Sequence, residues 1–179
     1  MKVLVTGGVR SGKSRHAESL LAGAAAVAYV APGPTVEEDP DPDWAARLAA
    51  HQASRPQGWR TVESRELAGA LSDATARGDT VIVDCLGTWL TAVMDSHDLW
   101  EAPSEKATAV VSELVDDAVQ VLSICDGDVV LVTNEVGLGV VPAHRSGRLF
   151  RDLLGMVNQR LAEVCDEVHL VIAGRVLKL

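Results

Sequence analysis

Aromatic side chains are scarce in this chain: four Trp, one Tyr and one Phe make up 3% of 179 residues. Val, Leu and Ala must therefore do most of the packing. Positive charge is also short, with 16 Lys and Arg against 25 Asp and Glu, a net charge of −9 and a pI near 4.9. Phosphate-backbone binding depends on clustered Lys and Arg, so nucleic acid is not expected as the main partner. No apolar run is long enough to cross a bilayer, and the chain enters a strand at once, leaving no room for a signal peptide. A soluble, cytoplasmic protein is expected. Cys85, Cys125 and Cys165 are odd in number, far apart and without C-x-x-C spacing, which suits reduced thiols rather than a disulfide frame or a zinc site. His16, His97, His144 and His169 make no H-E-x-x-H or other metal-ligand spacing. G-x-S-x-G is missing, as are the N-K-x-D of Ras-type guanine recognition and the L-S-G-G-Q of ABC-type ATPases.

What is present starts at the first residues. The apolar stretch Lys2-Val3-Leu4-Val5-Thr6 runs into GGVRSGKS, and RHAESLLAG follows with helical character. Gly7, Gly12, Lys13 and Ser14 match G-x-x-x-x-G-K-[ST]. The loop must curl tightly enough for its backbone N–H groups to face phosphate oxygens, which glycine at its ends permits. Lys13 then reaches the outer phosphates, Ser14 ligands Mg2+, and the helix N-terminus adds partial positive charge. Nucleotide binding follows from a strand, this loop and a helix in that order.

Apolar runs rich in Val and Ile recur at residues 2–6, 27–31, 59–63, 80–84, 128–133 and 167–172. Helices are expected over residues 13–22, 44–53, 66–76, 86–94, 104–123 and 146–164, the last with a core stripe of Leu149, Leu153, Val157, Leu161 and Val164. Alternating apolar strands and helices predict a single α/β domain over residues 1–179, with a mostly parallel sheet covered on both faces. Ala173-Gly174 reads as a tight turn into a short antiparallel strand at the C-terminus. The segment PGPTVEEDPDPD at residues 32–43 is expected to be an exposed, mobile loop, with Asp41 or Asp43 capping the next helix.

Several residues have the chemistry for a site. TVIVD, residues 80–84, ends in Asp84 as a Walker B strand does, an acid that holds the magnesium shell or orients the attacking group. Asn134 and Glu135 follow the strand at 128–133 and are either ligand contacts or part of a glycine-shaped turn. In WAARLAAHQASRP, Arg47, His51 and Arg55 fall four apart and share a face if the segment is helical throughout. Two guanidiniums beside an imidazole hold phosphate and favour the neutral ring, the form that attacks phosphorus. A solvated surface face is the alternative. Arg145, Arg148 and Arg151 are read as phosphate contacts or, for at least two, a solvated basic face; Trp100 as a substrate or subunit contact, or a partly buried anchor.

Taken together, LVTGGVRSGKSRHAE, YVA, AARLAAHQASRP, WRTVE, IVDCLGTWLT, VVLVTNEVGLGVVP and FRDLLGMVNQRLAEVCDEVHLVIAG resemble the bifunctional adenosylcobinamide kinase / adenosylcobinamide-phosphate guanylyltransferase family over essentially the whole chain. The resemblance implies a three-layer, RecA-like P-loop fold and a propeller-like trimer. It implies phosphorylation of adenosylcobinamide with ATP or GTP, then transfer of GMP from GTP to adenosylcobinamide phosphate, giving adenosyl-GDP-cobinamide and pyrophosphate. His51 corresponds to the family's guanylylated histidine. The nucleotide contacts map onto Gly7, Gly8, Val9, Arg10, Ser11, Gly12, Lys13, Ser14, then Ala31, Pro32, Gly33, then Gln52, Ala53, Ser54, Arg55, then Glu63 and Asp84. On this reading His51, Lys13 and Asp84 are catalytic, and Ser14 and Asp84 hold Mg2+. Pro32-Gly33 stands where many members have Thr-Ser, leaving backbone contacts only, and the acidic Pro-rich insert replaces a shorter linker. The residues alone also admit another P-loop small-molecule kinase without guanylylation, or a RecA-like nucleotide switch.

Overall fold

A computed structural model describes residues 1–179, apart from the side chains of Arg47 and Ser54. Seven strands form one sheet in the order β3-β2-β4-β5-β1-β6-β7. These are β1 (Lys2–Gly7), β2 (Val27–Ala31), β3 (Arg60–Glu63), β4 (Thr80–Asp84), β5 (Val129–Val132), β6 (Glu167–Ile172) and β7 (Arg175–Lys178). All neighbours run parallel except β6 and β7. Ala173 and Gly174 both have positive φ, 49° and 75°, the geometry of a two-residue hairpin turn that matches strand twist. The expected mostly parallel sheet with an antiparallel end is what forms.

Alternation along the strands separates two cores. Leu4, Val30, Val83 and Leu131 face α3 (Leu67–Ala76), α4 (Leu86–Ser96), α5 (Ser104–Ile124) and α6 (Arg145–Ala162). Val5, Tyr29, Ile82, Val132 and Val171 face the other way, onto Ala17 and Leu21 at α1 (Lys13–Leu20). Leu149, Leu153, Val157 and Leu161 are buried on α6, as their spacing predicts; Val164 lies past the helix end and is half-buried.

The remaining helix, α2 (Pro42–Ser54), starts where Asp41 accepts from the Asp43 backbone N–H at 2.8 Å, with Pro42 at the first helical position. None of its described side chains is fully buried. It ends before the position expected for a shared Arg47–His51–Arg55 face. Arg55 is extended (φ −73°, ψ 139°) because the residue before a proline is driven out of the helical region. The segment at 32–41 also differs from expectation. Pro32 is buried and residues 33–35 half-buried, and the exposed positions are Val36, Glu37, Glu38, Pro40 and Asp41.

Candidate active site

The carboxyl ends of five adjacent parallel strands converge on one cavity of about 560 Å³, where ligands collect in sheets of this kind. β1 contributes the loop at Val9–Ser14, β2 Ala31, β3 Glu63, β4 Asp84, and Asn134 follows β5. Helix α2 closes one side with Trp44, Leu48, His51 and Gln52, and Arg55 follows it.

The phosphate loop has the backbone its motif requires. Gly12 caps α1 with φ +97°, a left-handed conformation that strains any residue with a Cβ. A Cβ on Gly7 would collide with the Val171 carbonyl and stand 2.7 Å from Ser11 Oγ. Gly8 has open space instead, and its carbonyl accepts from Lys13 Nζ at 3.3 Å. Arg10 takes φ 57°, an uncommon value for a non-glycine residue and one that accompanies functional loops. The β6–β7 hairpin braces the loop from behind, its Gly174 N–H donating to the Ser11 carbonyl at 2.8 Å.

Asp84 is tied into a buried polar group on the cavity floor. The Tyr29 hydroxyl donates to Asp84 Oδ2 at 2.9 Å, and the Arg55 guanidinium lies 3.6 Å from the Tyr29 ring centroid. Burial first, then the Asp84 charge, pushes the Tyr29 phenol far above its ordinary range, so it stays a donor. Glu18, on α1, is likewise held above the usual carboxylate range by burial and then by Asp84, with Arg55 opposing. Cys85 is pushed up by burial and then by Asp84, which makes it a thiol rather than a thiolate nucleophile. The peptide bond joining Asp84 to Cys85 is cis.

Ser14 and Asp84 face the same cavity, one offering a hydroxyl and the other a carboxylate. That set suits Mg2+, which takes one or two protein oxygens and completes its shell with phosphates and water. Among the described residues no group of three His, Cys, Asp or Glu gathers as a metal cage.

Of the sequence-predicted residues, Val9, Arg10, Ser11, Gly12, Lys13, Ser14, Ala31, Gly33, His51, Gln52, Arg55, Glu63 and Asp84 line the cavity. Gly7 and Gly8 shape the loop from outside the lining, Pro32 is buried beside it, and Ala53 is exposed. The side chains of Arg47 and Ser54 lie outside the described residues. Asn134 faces the cavity, whereas Glu135 turns back to accept from the Gly137 N–H at 2.6 Å.

None of the three arginines of α6 lines the cavity, and Arg145 and Arg148 are exposed, as the solvated-face alternative has it; all three also bond to loop carbonyls. Arg145 donates to the Trp100 and Ala102 carbonyls, Arg148 to those of Pro142 and Ala143, and Arg151 to those of Gly137 and Gly139. They pin loops, because a guanidinium beside orphaned carbonyls makes charge-assisted bonds. Trp100 is the anchor alternative: it stacks on Phe150 at 6.4 Å and donates to Asp95.

Sequence reasoning missed Tyr29, Trp44, Thr61 and Thr88 as cavity residues. The only available signal was that Tyr29 is the one tyrosine in an aromatic-poor chain. Trp44 Nε1 donates to the Pro34 carbonyl at 3.0 Å, and a Cβ on Gly33 would lie 3.3 Å from the Trp44 ring. The insert thus becomes a cavity wall. Among the described residues, no helix is long and apolar enough to cross a membrane.

Known proteins resemble this chain in fold and in sequence. A solved type III secretion system ATPase matches with TM-score 0.54 and 13% identity, covering 94% of this chain and 50% of that one, which establishes a shared P-loop ATPase fold and nothing further. Three curated bacterial relatives match along nearly their full lengths. The bifunctional adenosylcobalamin biosynthesis protein CobU of Salmonella typhimurium is 41% identical, with 100% of this chain and 99% of that protein covered. Its Escherichia coli counterpart is 39% identical with the same coverage. The bifunctional adenosylcobalamin biosynthesis protein CobP of Pseudomonas aeruginosa is 36% identical over 97% of this chain and 94% of that protein. The family model described as cobinamide kinase / cobinamide phosphate guanyltransferase matches residues 3–179, so this chain belongs to the CobU family.

Proposed function

We propose that this protein phosphorylates adenosylcobinamide with ATP or GTP and then transfers GMP from GTP to the resulting phosphate through a guanylylated His51, both activities residing in the one domain spanning residues 1–179. The observation that carries the reading is that His51 lines the same cavity as Lys13, Ser14 and Asp84. One bound triphosphate is then within the domain of both the loop and the histidine.

In the kinase step the loop N–H groups and Lys13 stabilise charge on the transferring γ-phosphoryl group. Ser14 and Asp84 are the residues that would hold Mg2+, which supplies charge neutralisation to the phosphates when bound. Asp84 keeps its orientation through the bond from Tyr29. The acceptor hydroxyl oxygen forms the new bond to the γ-phosphorus, the bond from that phosphorus to the bridging oxygen breaks with its electron pair leaving on the nucleoside diphosphate, and the hydroxyl proton passes to solvent.

In the transferase step a ring nitrogen of His51 forms a bond to the α-phosphorus of GTP. The bond to the bridging oxygen breaks, its electron pair leaves with pyrophosphate, and Lys13 and Arg55 hold the departing phosphates. The phosphate of the acceptor then displaces the histidine. Splitting the transfer through a covalent intermediate lets one site serve two weak nucleophiles in turn.

A trimer in the cytoplasm belongs to the same reading. Ile172, Val176, Leu177 and Leu179 are exposed apolar side chains at the terminal hairpin, which supports an interface between copies. The decisive experiment incubates the protein with GTP labelled at the α-phosphate. An acid-labile, base-stable protein adduct is expected, and it should vanish in His51→Ala. No adduct at any magnesium concentration would sink the histidine assignment.

A further inference from the structure

Tyr29 stands at the centre of the cavity floor and belongs to no recognised part of the phosphate loop or the histidine helix. It is 2% exposed, on β2, and packs into the core face that carries Val5 and Ile82. Two functional groups from different parts of the chain meet on it. Its hydroxyl donates to Asp84 Oδ2 at 2.9 Å, at the end of β4. Its ring carries Arg55, which follows α2, at 3.6 Å from centroid to guanidinium carbon.

Beside Tyr29, both groups feel the Glu18 carboxyl, and Arg55 has one further hydrogen bond. Arg55 Nη1 donates to Thr61 Oγ1 at 2.8 Å, but Arg55 Nε is buried without a hydrogen-bond partner among the described atoms. The ring contact therefore has to hold the guanidinium plane, as stacked arginine–aromatic pairs do when desolvated. Asp84 has one oxygen bound by the phenol and the other left for a ligand. A carboxylate with one oxygen pinned presents the second in a single direction, which is how outer partners orient a metal ligand.

We propose that Tyr29 is a positioning residue that fixes Asp84 and Arg55 relative to one another, so that the acid of the metal shell and a phosphate-holding cation are set by one buried side chain. The proposal rests on the function proposed above. The hydroxyl donates to Asp84 and the Arg55 guanidinium, though it also feels the hydroxyl, lies over the ring face, so the two duties separate in degree by substitution. Tyr29→Phe keeps the stack and deletes the hydroxyl. Tyr29→Leu deletes both.

Three quantities test this: the dissociation constant for GTP in EDTA, the binding of Mn2+ to the GTP-bound protein by electron paramagnetic resonance, and the rate of α-phosphate labelling. Tyr29→Phe is expected to bind GTP in EDTA within about 2-fold of wild type but to weaken Mn2+ about 10-fold, the scale of one lost charge-assisted hydrogen bond. Tyr29→Leu is expected to weaken Mn2+ similarly and, in addition, to weaken GTP in EDTA by about 5-fold, with the label rate falling in step. A urea transition for each variant establishes that it is folded. Unchanged Mn2+ binding in folded Tyr29→Phe overturns the proposal, as does an equal loss of both binding constants in the two variants, which marks a merely structural core residue. A wild-type chain that takes no label sinks the guanylylated-histidine reading separately, while the two binding constants still decide the role of Tyr29.

Discussion

The phosphate loop and the histidine helix face one another across the same cavity, yet they are built in opposite ways. The loop at Gly7–Ser14 is held by backbone: a left-handed Gly12, a close approach at Gly7, and a hydrogen bond from the Gly174 N–H to the Ser11 carbonyl. Helix α2 buries no described side chain fully. It is held by the Asp41 cap at one end, Trp44 against Pro34 and Gly33, and Arg55 on Tyr29 beyond the other. Elements with few buried apolar contacts open at low free-energy cost. The contrast suits the proposed function, in which phosphates stay put while His51 reaches two different partners.

The sharpest way to break this pairing is to remove each side's reactive group. Lys13→Ala should lower phosphoryl transfer by about 10³-fold, since it deletes a preorganised charge from the transferring group. His51→Ala should abolish the covalent label and leave nucleoside diphosphate release from the kinase step within a few-fold of wild type. Loss of both activities from His51→Ala alone would show that the two sides are not separable.

The backbone of the loop can be probed next. Gly12→Ala should cost about 1–3 kcal/mol in urea unfolding, the range for a non-glycine residue forced to an unfavourable φ. Gly8→Ala, with open space around it, should stay within about 0.5 kcal/mol of wild type. Equal costs at the two glycines would remove the backbone account of the loop. On the helix side, Trp44→Ala should slow labelling about 10-fold, the scale of a misplaced catalytic group, with a smaller change in the kinase rate.

The smallest expected effect is a pH dependence behind the loop. His16 Nε2 lies 2.9 Å from His169 Nδ1, His169 Nε2 lies 2.6 Å from Glu167 Oε2, and Lys178 donates to the same carboxylate. Burial first, then His169 and Lys178, lowers the His16 pKa below its ordinary 6.5. The folded state therefore binds the His16 proton less readily than the unfolded chain. Its contribution is intact above pH 6.5 and is lost as pH falls below that value through the lowered folded pKa. The urea midpoint should decline in that window, and His16→Gln should flatten the decline. Glu167 is lowered by Lys178 first and then His169, so its own contribution fades only at more acid pH.

Much of this site could be read in the chain because its parts are local. A strand, a glycine loop and a helix start are consecutive residues, and their spacing carries their geometry. The same holds for Asp84 at the end of an apolar strand and for the Asp41 cap. Arg145, Arg148 and Arg151 show what such reading leaves out: two are exposed as a solvated face would be, but the carbonyls they bond were not legible. Helical spacing put them on one face, but which acceptors that face would meet depended on loops at 100–102 and 137–143 packing beside it. The shared face of Arg47, His51 and Arg55 required helix through Arg55, which Pro56 prevents; Arg55 reaches the cavity instead by stacking on Tyr29, 26 positions away.

The sequence by itself determined the parallel sheet, the phosphate loop and the acid opposite it, because periodicity, glycine stereochemistry and residue spacing act over a few positions. Only the tertiary structure decided that Tyr29 would join Asp84 to Arg55, that Trp44 and residues 33–36 would form a wall, and that His51 would line the same cavity as the loop. Those outcomes depend on strand order and on which buried polar groups find partners. Neither is a property of any short stretch of chain.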